Sequence, residues 1–296
     1  MSKSFIIIFG FILKLLPGFI LQLFCLTAAV FTILLFKGRR ELVLNNLEQA
    51  FGNSCLRKRL VLAIKTIERT IEQGLLALVW PFLRTKLLKL NFQINDKSLD
   101  LLRLHSNEKH GVLWLIPHFC HADALSFTPE LIGHGHGVHA LYRPLKNPAL
   151  NTFIKNSRER FGVKTIDRKD GGMLKTLKVL KRGDTLAMLF DQNAGGAGTR
   201  IEFMGRDCSC TTLPDILYNK YTPKVLFVYT RRTGFWKSFI EVEEMGALET
   251  NELVIEKANR WLENKLRSDI VLRESWLWLH QRWKPGVGQV KKGKIR

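Results

Sequence analysis

Apolar residues fall along this chain in three successive rhythms, and each predicts a different kind of element. From residue 5 to residue 36 they are nearly continuous, broken by Lys14, Pro17-Gly18 and Gln22. From about 40 to 90 they recur near helical spacing, through Leu42, Leu47, Phe51, Leu60, Ile64, Ile67, Ile71, Leu75 and Leu78. A break is expected at Gly52-Asn53, and Pro81 ends or kinks the last helix. Beyond His110 the apolar residues gather into short runs at 111–116, 138–142, 185–190 and 225–229, the mark of buried strands. Helical stretches at about 122–132, 148–161, 171–182, 212–220 and 250–267 separate them. Strands alternating with helices predict an α/β fold: a mixed, largely parallel sheet flanked by helices, behind an N-terminal membrane-associated helical region. The expected divisions are an anchor over 1–36, a main domain over 37–285 and a basic flexible tail over 286–296.

The cleanest part of the first segment, 19–36, runs for 18 residues without a charge. At about 1.5 Å per residue it just spans a hydrocarbon core of about 30 Å. Lys37, Arg39 and Arg40 follow at once, so the positive-inside rule keeps the long C-terminal part in the cytoplasm. A cleaved signal peptide fits poorly, because its apolar region is shorter and small residues mark its cleavage site. A hairpin bent at Pro17-Gly18 and lying in one leaflet is the other embedded arrangement.

Charge then changes the picture. The 296 residues carry 46 Lys+Arg against 26 Asp+Glu, a net +20 that calls for an acidic partner: anionic lipid, nucleic acid or an acidic protein. A hydrophobic share of 46% excludes global disorder. Nucleic acid is disfavoured because no binding module interleaves aromatics with the basic residues. Cys25, Cys55, Cys120, Cys208 and Cys210 are odd in number, lack zinc-ribbon spacing and suit a reducing compartment.

The candidate chemistry begins where the 111–116 strand ends, in Pro117-His118-Phe-Cys-His-Ala-Asp123. Strand ends in α/β sheets are where sites are built. An imidazole near neutral pKa can take a proton from a hydroxyl, and a carboxylate on its other nitrogen fixes the tautomer. His118 and Asp123 are therefore the expected catalytic pair. As alternatives, the two could form a helix cap or sit as solvated loop residues. Metal binding by His118 and His121 lacks a third ligand and the glutamate of a zinc-protease helix, so no metal is expected. His134, His136 and His139 read as ordinary surface or core residues. Arg143, Arg158 and Arg160 are candidates to hold a phosphate. Within a helix over 148–161, Arg158 and Arg160 cannot share a face, and Arg158 is preferred. Asp191, at the end of a buried strand, needs a partner and is expected to hold one of those arginines. Gly195-Gly196-Ala-Gly198 lacks a nucleotide-binding context. Trp276, Trp278 and Trp283 either pack inside or sit at a membrane interface.

In sequence order, several blocks resemble the bacterial lipid A biosynthesis (lauroyl/myristoyl) acyltransferases, within the lysophospholipid and glycerolipid acyltransferase superfamily. They are Arg40-x4-Asn45-Asn46-Leu47-x3-Phe51, then Pro117-His118-Phe119-x3-Asp123, then Tyr142-Arg143-Pro144 with Asn147-Pro148 and Arg158-x-Arg160. Asp167-Arg168-Lys169-Asp170 with Leu180-Lys-Arg-Gly183 follows, then Phe190-Asp191-Gln192 with Phe203-x-Gly205-Arg206, then Trp278-x-His280-x-Arg282-Trp283-Lys284. The resemblance covers almost the whole chain. It implies acyl transfer from an acyl carrier protein to a hydroxyl of a lipid A precursor, on the cytoplasmic side of a bacterial inner membrane. That chemistry needs no cofactor. Two departures bear on the acceptor: Asp123 stands where many lipid A enzymes have glutamate, and Asp207-Cys-Ser-Cys-Thr-Thr-Leu replaces an alanine- and threonine-rich stretch. A lysophospholipid, a phosphatidylinositol mannoside or an aminolipid are alternative acceptors. Outside the enzyme class, the alternative is a membrane-tethered basic binding protein.

Overall fold

The computed structural model describes residues 2–52, 55–105, 111–133 and 137–284. The expected tail at 286–296, Asn53 of the expected break, and His134 and His136 lie outside the described residues. The N-terminal third is helical: α1 (Lys3–Leu15), α2 (Gly18–Leu35), α3 (Lys37–Phe51), α4 (Leu56–Val79) and α5 (Thr85–Asn91). Pro81 acts as expected, since α4 gives way to a 3-10 turn at Trp80–Phe82.

Strands and helices then alternate: β1 (Phe92–Ile94), α6 (Asp96–Leu104), β2 (Val112–Ile116), α7 (Thr128–Ile132), β3 (Val138–Tyr142), α8 (Pro148–Glu159), β4 (Lys164–Asp167), α9 (Gly172–Lys181) and β5 (Thr185–Leu189). A small antiparallel pair, β6 (Thr199–Phe203) and β7 (Arg206–Cys210), precedes α10 (Leu213–Tyr221). The chain continues through β8 (Lys224–Gly234), β9 (Lys237–Glu244), α11 (Val254–Ser268) and α12 (Ile270–Ser275).

The main sheet has seven strands in the order β1-β9-β8-β2-β5-β3-β4. Every pairing is parallel except the β8–β9 hairpin. Central strand β2 is buried at all five positions, as its Val-Leu-Trp-Leu-Ile run requires for a strand covered on both faces. On one face Leu113, Leu115, Leu186, Met188, Val225 and Phe227 share a core with α10 and α11 through Leu217, Ile255, Ala258 and Leu262. On the other face the register sets Trp114, Ala187, Ala140 and Thr165 side by side across β2, β5, β3 and β4. Two adjacent alanines leave space there, and both line a cavity on that face.

The N-terminal helices are not a separate appendage. Leu13, Leu21 and Cys25 share a core with Leu76, Val79 and Trp80, and Ala29 and Ile33 share the main core with Leu47, Ala63 and Ile67. The expected boundary at residue 36 is therefore a change of composition within one packed body.

Candidate functional site

Strands β2 and β5 run parallel with Ile116 opposite Leu189. Two residues beyond those partners stand His118 and Asp191, so the register carries them together off the same end of the sheet. The His118 Nδ1–Asp191 Oδ1 distance is 2.5 Å. Asp191 Oδ2 accepts from the His118 backbone amide at 2.8 Å and from Trp276 Nε1 at 2.6 Å. Burial alone would raise the Asp191 carboxyl. The His118 imidazole, its backbone amide and the Trp276 indole outweigh burial and hold the group near 2. Facing that carboxylate, Nδ1 is the donor of the pair, which leaves Nε2 as the acceptor in the neutral ring. The Gln192 side-chain amide donates to Nε2 at 2.9 Å, from an exposed position that a substrate hydroxyl can replace.

This differs from the arrangement expected from spacing alone. Asp123 is not the partner of either His118 ring nitrogen. Its Oδ1 accepts from Arg158 Nε at 2.7 Å and its Oδ2 from Gln73 Nε2 at 2.6 Å. The arginine-holding role expected of Asp191 thus falls to Asp123, and the histidine-orienting role expected of Asp123 falls to Asp191. The reason is local. His121 adopts a left-handed conformation (φ 67°) and starts a 3-10 turn at Ala122–Phe127, which turns Asp123 toward α4 and α8.

Of the candidate arginines, Arg158 lines the cavity, and its guanidinium is fixed only through Nε among the described residues. Arg160 points elsewhere. Its Nη1 donates to the carbonyls of Trp80, Pro81 and Leu83, and its guanidinium lies over the Phe161 ring. Arg143 is exposed, one residue beyond Tyr142 of the cavity wall.

His118, Asp123 and Arg158 border a cavity of about 320 Å³. Its sheet side includes the Trp114–Ala187–Ala140–Thr165 row, and Leu125 and Val163 are among the other apolar lining residues. Among the described residues, two buried polar atoms of the lining have no protein partner: Ser275 Oγ and Gln73 Oε1.

The C-terminal segment straps this end of the sheet. Arg282 is fully buried and donates to the Gln192 carbonyl (2.9 Å), Asn259 Oδ1 (2.6 Å) and Cys210 Sγ (2.8 Å). Asn46 of α3 donates to the carbonyls of Trp278 and His280 at 2.7 and 2.9 Å. Trp276 and Trp278 are buried, so they pack rather than face a membrane. Residues far apart in sequence thus hold the segment that follows Trp276: Asn46 through the Trp278 and His280 carbonyls, Asp191 through the Trp276 indole and Arg282 through the Gln192 carbonyl. Trp276, Gln192, Gln73 and Ser275 were not legible as site residues, because none lies in an alternating or helical pattern that points to the sheet end.

Behind the His118 loop lies a buried charge cluster. Glu72 accepts from His121 Nε2 (2.9 Å), Arg232 Nε (3.0 Å) and the Trp236 amide (2.9 Å), and pairs with Arg69 at 3.3 Å. His121 Nδ1 lies 2.7 Å from Ser238 Oγ. Glu72, Cys120 and His121 offer three ligand atoms within 4.8 Å of one another. Two guanidinium groups already occupy the Glu72 carboxylate, so this donor set is an ion-pair knot rather than a cation nest. His118 and His121 face different partners and do not converge on a common point.

His280 gives a pH prediction. Burial pushes its imidazole down to about 4, against the opposing pull of Asp191. In the unfolded chain it takes a proton near its ordinary value of about 6.5. Between those values the unfolded state binds the extra proton, so stability falls as pH falls. Buried His121, also pushed down by burial, acts in the same direction. Unfolding midpoints should drop between pH 7 and pH 5, and His280→Gln should remove about 1–2 kcal/mol of that drop, allowing for its partial exposure. Parallel pH profiles for the two proteins would contradict this assignment.

Residues 1–285 match the family model described as bacterial lipid A biosynthesis acyltransferase. A protein of Haemophilus influenzae described as lipid A biosynthesis acyltransferase is 26% identical over 197 residues, which is 64% of this chain and 60% of that protein. The matched stretch thus spans about three fifths of the relative's length.

Proposed function

Because the chain belongs to the bacterial lipid A biosynthesis acyltransferase family, we propose that it transfers a fatty acyl group from a thioester to a hydroxyl of a lipid A precursor. The observation that carries this reading is a histidine held by a buried carboxylate at the border of a largely apolar cavity. His118 Nε2 accepts the proton of the acceptor hydroxyl as its oxygen attacks the thioester carbonyl. The tetrahedral oxyanion then collapses and expels the thiolate, which takes the proton back from His118. Asp191 keeps the proton on Nδ1 and steadies the imidazolium between the two steps. Arg158, steadied by Asp123, offers its remaining donors to a phosphate of the acceptor or to the developing oxyanion. The acyl chain lies over Ala187 and Ala140. An acyl carrier protein is the donor that suits the +20 charge, and the reaction takes place on the cytoplasmic face of the inner membrane.

Mass spectrometry of membrane lipids with and without the gene tests the acceptor directly. Loss of one acyl chain from lipid A supports the reading. An unchanged lipid A with an altered phospholipid, phosphatidylinositol mannoside or aminolipid would replace it. The chain site has its own test. Ala187→Leu should shift transfer toward shorter acyl chains when two thioesters compete, because each methylene kept out of the cavity forfeits about 0.8 kcal/mol. An unchanged product distribution would remove Ala187 from the acyl site.

A further inference from the structure

Helix α2 is long and apolar enough to cross a membrane by length and composition. Its place in the fold argues for a different arrangement. Its buried residues, Leu21, Cys25, Ala29 and Ile33, form one stripe at four-residue spacing. Leu21 and Cys25 share a core with Leu76 and Val79, near the end of α4, whereas Ala29 and Ile33 share one with Ala63 and Ile67 nearer its start. Helix α2 therefore lies antiparallel along most of α4, and Cys25 sits within electrostatic reach of Glu72, Glu68 and Arg69.

Helix α1 is fixed to the same body. A side-chain carbon at Gly10 would stand 2.5 Å from the Leu78 carbonyl oxygen of α4, so only glycine permits that approach. Phe11 meets Phe82 edge-on at 6.0 Å, and Phe82 in turn contacts Phe153 of α8. Helix α8 carries Arg158 of the cavity. At 13 residues α1 extends about 20 Å, too short to return across a core of about 30 Å. If α2 crossed the bilayer, α1 would lie on the far side, yet α1 is packed on the helices that build the site.

The outer surface of the two helices is apolar: Phe5, Ile8, Phe11, Ile12, Leu15 and Phe19 at the first helix and the turn are all exposed. Leu23, Phe31 and Leu34 continue that face along α2. Exposed cations stand at the two chain ends of the pair, Lys3 as the first residue of α1 and Lys37 and Arg39 just past α2. The turn between them, 15–19, exposes Leu, Leu, Pro, Gly and Phe, and half-buried Lys14 before it folds back over the Phe11 ring. Cations at the start of α1 and just past α2 match anionic headgroups, and the apolar outer face of both helices matches acyl chains.

We propose that α1 and α2, both packed on α4, are seated in a single leaflet of anionic lipid, so that residue 2 and the domain bearing His118 lie on the same side of the membrane. Helix α8, which carries Arg158 of the cavity, then touches α1 beside that leaflet. This topology does not depend on which acyl acceptor is used.

Thiol labelling tests it without an activity readout. Cys55 is exposed and reports the side of the main domain, while the other four cysteines are buried. Ser2→Cys should be modified by a membrane-impermeant maleimide from the same side as Cys55, in intact spheroplasts and in inverted membrane vesicles alike. Ser2→Cys/Cys55→Ser separates the two signals. The protein should also resist extraction from vesicles by high salt and alkaline carbonate and come off in detergent. Labelling of position 2 only from the side opposite Cys55, or only after detergent, overturns the proposal. So does a carbonate-soluble protein, or a lipid-free dimer that covers this face with a second copy.

Discussion

Asp191→Asn should lower the turnover of the proposed acyl transfer by about 10³–10⁴-fold, while Asp123→Asn should act mainly on the acceptor's Michaelis constant. The asymmetry follows from the hydrogen bonds. The Oδ2 position of Asp191 receives two donors, the His118 amide and the Trp276 indole. An asparagine there must place its carbonyl oxygen at that position. Its NH2 then faces His118 Nδ1 and donates to it, which forces the ring proton onto Nε2. The nitrogen that should accept the substrate proton is then already protonated. A His–carboxylate pair locked in the wrong tautomer loses about 10⁴ in rate elsewhere. His118→Ala should be at least as severe, because it removes the base itself. Asp123→Asn leaves Nδ1 and Nε2 untouched and loosens the Arg158 guanidinium, whose Nε it holds. Steady-state kinetics at saturating thioester, with acceptor varied, separates the two. Near-normal turnover by Asp191→Asn, with a deep loss in Asp123→Asn, would return the orienting role to Asp123.

That exchange of roles shows what the sequence can reveal and what it cannot. His118 is legible because it follows an uninterrupted apolar run, and such runs end at the working edge of a parallel sheet. Strands β2, β3, β5 and β8 are legible for the same reason. Strands β4 and β9 are not, since Lys-Thr-Ile-Asp is too short and Lys-Ser-Phe-Ile-Glu-Val-Glu-Glu mixes charge into its pattern. The partner of His118 depends on strand order. Strand β5 inserts between β2 and β3 although 73 positions separate Asp191 from His118, and nothing local announces that insertion. Once β5 is known to neighbour β2, an equal offset past the paired ends finds Asp191 at once. Arg158 and Arg160 face different ways, as two positions on a helix should: the first lines the cavity, and the second donates to carbonyls of the turn after α4.

Glu72→Gln should destabilise the protein by about 3–5 kcal/mol, the range for removing one partner of a buried ion pair. Glu72 is fully buried, and its carboxyl is held near 2: burial pushes it up, but His121, Arg232 and the Trp236 amide more than offset that. The substitution keeps the side chain's size and removes its charge, leaving Arg69 with Glu68 and Arg232 without a carboxylate. These groups come from three places: α4, the loop after β2, and the β8–β9 hairpin, whose Ser238 faces His121. Glu72 therefore ties the left-handed His121 turn, and with it the course of the chain from His118 to Asp123, to the rest of the fold. In detergent, the thermal midpoint should fall by roughly 10 °C, at about 2–4 °C per kcal/mol for a domain of this size class. Turnover measured well below that midpoint should fall less than in Asp191→Asn, because the His118–Asp191 pair hangs from β2 and β5 and not from α4. Glu68→Gln, which leaves the Glu72–His121–Arg232 core intact, should cost less than Glu72→Gln. A Glu72→Gln protein with a wild-type midpoint would show that the buried arginines find other partners and that the turn is held by its backbone alone.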